Sequence, residues 1–160
     1  MKRLLIFGML SLLAGFIAAQ NLSVNNLKCD YRIDPLGVDA MNPLLGWQLV
    51  SKQNNVLQTA YRILVADDAA LLTKNIGNVW DTKKTESSAS IQIKYEGKIL
   101  QPAKRYFWKL MLWDNKGNQS AWSKINNWQM GLLSATDWQD ARIRNIFIAD
   151  PFGILPVGCR

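Results

Sequence analysis

The chain has 160 residues, 49% hydrophobic and 19% charged, with a formal charge of +7; this is the composition of one ordinary globular domain and shows no sign of disorder. It contains no histidine, which excludes Ser-His-Asp and Cys-His nucleophiles, and with two cysteines a zinc site would have to be assembled from scattered carboxylates and thiols. The basic residues are dispersed singly or in pairs such as Lys83-Lys84 and Lys104-Arg105, without the clustered stripe that nucleic acid requires, so neither a cofactor nor a nucleic-acid partner is expected.

Met1 to Ala19 reads as a secretory signal peptide. Lys2-Arg3 is a short basic start, Leu4 to Ile17 is a continuous apolar run, and Ala18-Ala19 supplies the small residues that a signal peptidase needs. The run is shorter than the roughly 20 residues that span a bilayer comfortably, so no membrane span is expected after cleavage. The mature chain would begin at Gln20, be exported to the periplasm or the extracellular space, and carry a formal charge of +5 once Lys2 and Arg3 are gone. Export permits a disulfide between Cys29 and Cys159, but two cysteines alone do not establish one.

From Asn21 to Ile33 apolar and polar residues mix in a way that predicts a first strand at a sheet edge, followed by a turn at Asp34-Pro35-Leu36-Gly37. In Leu44 to Val50 the residues Leu45, Trp47 and Leu49 share one face, with Trp47 as a core plug, and Lys52 to Asn55 reads as a polar hairpin tip. Thr59 to Ala66 is the next strand, with Tyr61, Ile63 and Val65 on one side. Asp67 to Lys74 is the one helical stretch, its two aspartates placed to cap and to complement the helix dipole. Val79-Trp80-Asp81 resumes extended structure, Thr82 to Ala89 is loop-like, Ser90 to Ile93 alternates as a short strand, and Tyr95 to Lys98 turns.

The stretch Leu100 to Trp122 organises the rest. From Arg105 to Trp113 the chain alternates, with Tyr106, Trp108, Leu110 and Leu112 on one side and Phe107, Lys109, Met111 and Trp113 on the other; large apolar groups on both sides predict a central strand. The spacing Leu100-x-Pro102-x-x-x-Tyr106 is that of a tyrosine corner, in which the tyrosine hydroxyl bonds back to upstream backbone. Asp114 to Asn118 supplies turn chemistry, and Trp122 to Met130 makes the last strand. Short strands at this spacing predict an all-β sandwich with one short helix, over residues 20–134. Residues 135–160 read as an exit linker anchored by Trp138 and an atypical tail, whose drift after Ala141 suggests a truncation or a change of reading frame.

Little of this points to chemistry. The carboxylates fall almost wholly in turns or loops, where capping is their commoner use, so no catalytic residue is assigned. Leu100, Pro102, Tyr106, Trp108, Trp47 and Tyr61 are assigned to the corner and core. Trp80, Trp113, Trp122 and Trp138, with Trp128 beside them, are the candidates for stacking on a sugar ring or touching a neighbouring domain, set against the commoner use of tryptophan as core filling.

The words Asn42 to Trp47, Gln58 to Ala66, Gly77 to Thr82, Tyr95-Glu96-Gly97 and Leu100 to Trp113, then Met130 to Leu133 and Asp137-Trp138, occur in an order that resembles the amino-terminal domain of bacterial α-L-rhamnosidases; the corner resembles fibronectin type III modules more widely. The resemblance implies an immunoglobulin or fibronectin type III-like β-sandwich that is not itself catalytic. In that family the acidic catalytic residues lie in a downstream (α/α)6 barrel, for which this chain has no counterpart. The partners it implies are the downstream domains of a secreted glycoside hydrolase; a free-standing carbohydrate-binding module and a surface interaction domain are the alternatives.

Overall fold

A computed structural model describes residues 22–134 and Asp137. Residues 1–21, where a signal peptide is expected, Trp138, Cys159 and most of the stretch after Ser134 lie outside the described residues.

Two antiparallel sheets face each other. The smaller contains β1 (Leu22–Cys29), β2 (Leu44–Ser51) and β6 (Ile93–Lys94) in the order β1-β2-β6. The larger runs β4-β3-β7-β8, built from β3 (Gln58–Ala66), β4 (Trp80–Asp81), β7 (Arg105–Asp114) and β8 (Asn126–Gln129), with β5 (Thr85–Glu86) also paired to β3. The β3–β7 ladder is its spine. Tyr61 lies opposite Leu112, Ile63 opposite Leu110 and Val65 opposite Trp108, so the alternation of both strands places one apolar set on the same inner face. Against it the smaller sheet packs Leu45 and Trp47, and Trp108, Trp128 and Tyr95 fill the space between.

The Trp47 indole N–H donates to Gln58 Oε1 at 2.9 Å, and the Gln58 amide in turn donates to the carbonyls of Ser87 and Ala89. One buried amide thus fixes a core ring and ties down the loop after β5, because a buried donor or acceptor without a partner is costly.

The outer face of the larger sheet is covered at one end by α1 (Ala69–Thr73), whose Leu72 packs on Leu64 and Ala66 with Phe107 and Trp122 beside them. Asp68 caps it, its carboxylate accepting from the Ala70 N–H at 2.8 Å. Asp67 instead pairs with Asn78 and Lys104.

Four expectations need correction. Lys52 to Asn55 is not a hairpin tip, since β2 and β3 lie in different sheets and the segment carries the chain across. The polar stretch from Thr82 to Ala89 contains β5, held by Ala60 and Tyr61. The strand expected over Ser90 to Ile93 shrinks to Ile93–Lys94, with Gln92 at φ 57° breaking its start. The last strand covers only Asn126–Gln129, because Ser120 and Ser123 replace backbone carbonyls beside β7: their hydroxyls accept from Leu112 and Leu110 N–H at 2.9 and 3.1 Å. A side-chain oxygen satisfies the donor without extending the ladder.

β1 carries a bulge between Asn25 and Lys28, where Asn26 adopts φ 51°.

Candidate functional site

The tryptophans sort into three environments. Trp47, Trp108 and Trp128 are buried in the core. Trp113 and Trp122 lie half-buried on the outer face of the larger sheet, and each has a cation over its ring: Lys84 Nζ at 5.4 Å from the Trp113 ring centre, and Lys109 Nζ at 4.6 Å and the Arg62 guanidinium at 5.9 Å from that of Trp122. Lys109 is buried beneath its indole and donates to Asn75 Oδ1 at 2.6 Å; burial lowers its pKa. The mixed outer face of β7 is therefore explained by packing: an apolar indole shields an ammonium that a single amide accepts.

Trp80 differs. It lies beside the inward-facing Val65 at the edge of the larger sheet, and its ring meets Tyr95 edge-on at 5.1 Å. Gly97 lets the two rings approach, since a Cβ there would lie 2.7 Å from Trp80 Cβ and collide with the Tyr95 hydroxyl. That hydroxyl donates to the Lys98 carbonyl at 2.7 Å.

Between this edge and β6 the sandwich opens into a cleft of about 450 Å³. Tyr61, Trp80 and Thr85 line it from the larger sheet, and Ile93, Lys94 and Glu96 from the smaller. Tyr61 is only 8% exposed and its ring packs edge-on against Trp47 at 5.2 Å, yet its hydroxyl makes no hydrogen bond among the described residues. Burial, and after it the nearby Glu96 carboxylate, raises the Tyr61 pKa, so the hydroxyl stays protonated and able to donate.

Asp81, on the rim, is already occupied. Arg62 grips it with two bonds of 3.0 and 2.9 Å, and Lys83 adds its ammonium and its backbone N–H. Burial alone would raise this carboxyl, but those donors outweigh it and hold the group far below the ordinary carboxylate range. Most of the other described carboxylates are engaged too, Asp39 and Glu96 excepted. Asp30 accepts from Leu44 N–H, Asp34 from Asn127 N–H, Asp114 from Lys116 and Asn118 N–H, and Asp137 from Leu133 and Ser134 N–H. No cluster of three or more histidine, cysteine or acidic residues suited to a metal ion occurs among the described residues.

At the corner, Leu100 is buried, Pro102 is exposed, and the Tyr106 hydroxyl accepts from the Gln101 N–H at 2.9 Å. Trp138 lies outside the described residues. Sequence reasoning assigned Tyr61 to the core without its hydroxyl, and it missed Gln58 and Glu96; alternation tells which face a side chain takes, but not where a sheet stops and leaves that face open.

Known proteins resemble this chain along most of its length. Residues 24–134 match the family described as Rha78A-like, N-terminal immunoglobulin domain. An alpha-L-rhamnosidase of Formosa agariphila is 35% identical over 76% of this chain and 13% of its own length, and one of Streptomyces avermitilis is 38% identical over 73% and 11%. Among solved structures, the alpha-L-rhamnosidase from Dictyoglumus thermophilum superposes with a TM-score of 0.71 at 44% identity, covering 73% of this chain and 13% of that one. The chain spans about one eighth of the length of such relatives. It belongs to the family of Rha78A-like N-terminal immunoglobulin domains.

Proposed function

We propose that this chain is the non-catalytic accessory β-sandwich of an exported α-L-rhamnosidase-like glycoside hydrolase, with residues 1–19 as signal peptide, 20–134 as the sandwich and 135–160 as the exit segment. The observation that carries this reading is the match of residues 24–134 to a domain that makes up 11–13% of full-length relatives. Most described carboxylates serve as turn acceptors or ion-pair partners, and of the two without a partner Glu96 borders the cleft while Asp39 does not, which supports this reading, because a glycosidase needs two carboxyl groups free to face one sugar. Tyr31, Ile91 and Leu36 are 63%, 68% and 67% exposed, and Tyr31 and Ile91 line one recess beside Gly46 on the smaller sheet; apolar surface of this kind suits contact with the other domains of the parent protein.

The test is hydrolysis of p-nitrophenyl α-L-rhamnopyranoside by the purified chain. No release above the uncatalysed rate is expected, whereas turnover that disappears on replacing one of its carboxylates would overturn the reading. The export arm is checked by sequencing the amino terminus of the protein recovered outside the cytoplasm: Gln20 is expected first, and a retained Met1 would contradict cleavage.

A further inference from the structure

We propose that the cleft between the β4–β5 edge and β6 is a saccharide subsite, with Trp80 as the stacking wall and the Tyr61 hydroxyl as a donor open to the cleft. Its choice of probe rests on the accessory-domain reading; its geometry does not. The cleft measures about 450 Å³, within the roughly 300–1,000 Å³ of small-molecule sites.

Three observations point to a sugar. Trp80 is the half-buried tryptophan of the described residues that lines this cleft, and no cation lies over its ring, whereas Lys84 covers Trp113 and Lys109 with Arg62 covers Trp122. Tyr61 is held by Trp47 with its ring buried, while its hydroxyl has no hydrogen-bond partner among the described residues and is not among the buried polar atoms, so it opens to the cleft, where an incoming hydroxyl can replace water on it. Around them stand an acceptor, Glu96, and a donor, Lys94, both exposed.

An aromatic wall with separate donors and acceptors matches a pyranose, which has an apolar C–H face and a ring of hydroxyls. A charged ligand fits less well: the unpaired Glu96 carboxylate repels an anion, and Asp81, already neutralised by Arg62 and Lys83, offers no free charge to a cation.

The full chain is titrated with methyl α-L-rhamnopyranoside, and in parallel with the methyl glycosides of galactose and glucose, following the indole and amide resonances by NMR. Saturable shifts are expected, with a dissociation constant on the order of 1 mM for a single sugar in an open cleft. Trp80→Ala weakens binding by about tenfold or more, and Tyr61→Phe by about threefold to tenfold, the worth of one neutral hydrogen bond. Tyr61→Phe should keep the thermal midpoint of the parent chain, because the lost hydroxyl bonds to no atom of the described residues. Trp113→Ala and Trp122→Ala leave binding unchanged. The proposal is overturned if none of the three glycosides gives saturable shifts up to about 50 mM, or if binding survives Trp80→Ala. Either result leaves the accessory-domain reading standing, since that is judged by hydrolysis.

Discussion

Two tyrosines show how far a residue's environment outweighs its identity. Tyr106 and Tyr61 are both buried on neighbouring strands, but the hydroxyl of Tyr106 accepts from the Gln101 N–H while that of Tyr61 has no hydrogen-bond partner among the described residues. Removing the first strands a backbone donor, so Tyr106→Phe should destabilise the domain by about 1–3 kcal/mol in urea unfolding; a cost near zero would mean that water satisfies Gln101 equally well. Cys29 makes a similar point. It is completely buried at the end of β1, and burial, reinforced by the neighbouring Asp30 carboxylate, raises its thiol pKa well above the ordinary value. In a Cys159→Ser background, Cys29 should resist a disulfide reagent until the protein is unfolded, and fast labelling of the native protein would refute this burial.

At the scale of elements, the long strands β2, β3 and β7 are legible in the sequence because each sends alternate residues into the core, even though the outer face of β3 and β7 is largely covered as well. The corner is legible for a related reason, since its residues must occur at fixed spacing. β5 is not, because Thr85 and Glu86 owe their conformation to Ala60 and Tyr61 on another strand and not to any pattern of their own. The stretch after Asp114 misleads because Trp122 and Trp128 suggest one continuous strand, whereas two serine hydroxyls take over the neighbouring positions on β7. Ser120 is buried, so Ser120→Ala should leave Leu112 N–H without an acceptor and cost about 1–3 kcal/mol, with faster amide exchange at Leu112. Unchanged exchange there would show that another acceptor takes its place. The cleft was illegible for the same reason as β5: it is made by the place where two sheets end, and Tyr61 reads as core until the edge beside it is seen to be open.

At the scale of the molecule, charge among the described residues serves largely to hold segments together. Asp67 has its pKa lowered by bonds from Asn78 and Lys104; at Asp81 and Asp114 burial pulls the other way, but the donors around each win and the net shift is again downward. A folded carboxyl that binds its proton more weakly than the unfolded one contributes stability that is complete above the ordinary carboxylate range and is lost as pH falls through the lowered values. The urea midpoint should therefore be level from about pH 5 to 7 and decline below about pH 4, with a shallower decline in Asp81→Asn; a midpoint independent of pH down to about 2 would contradict these pairings. The sheet edges carry a different consequence. β4, β5 and β6 are two residues long, β8 is four, and the one long outer strand, β1, is kinked by its bulge at Asn26. None offers a straight run of unpaired amides to another chain, so molecules crowded together at high concentration have no template on which to add strands, and the domain should stay monodisperse where a flat-edged sandwich would polymerise.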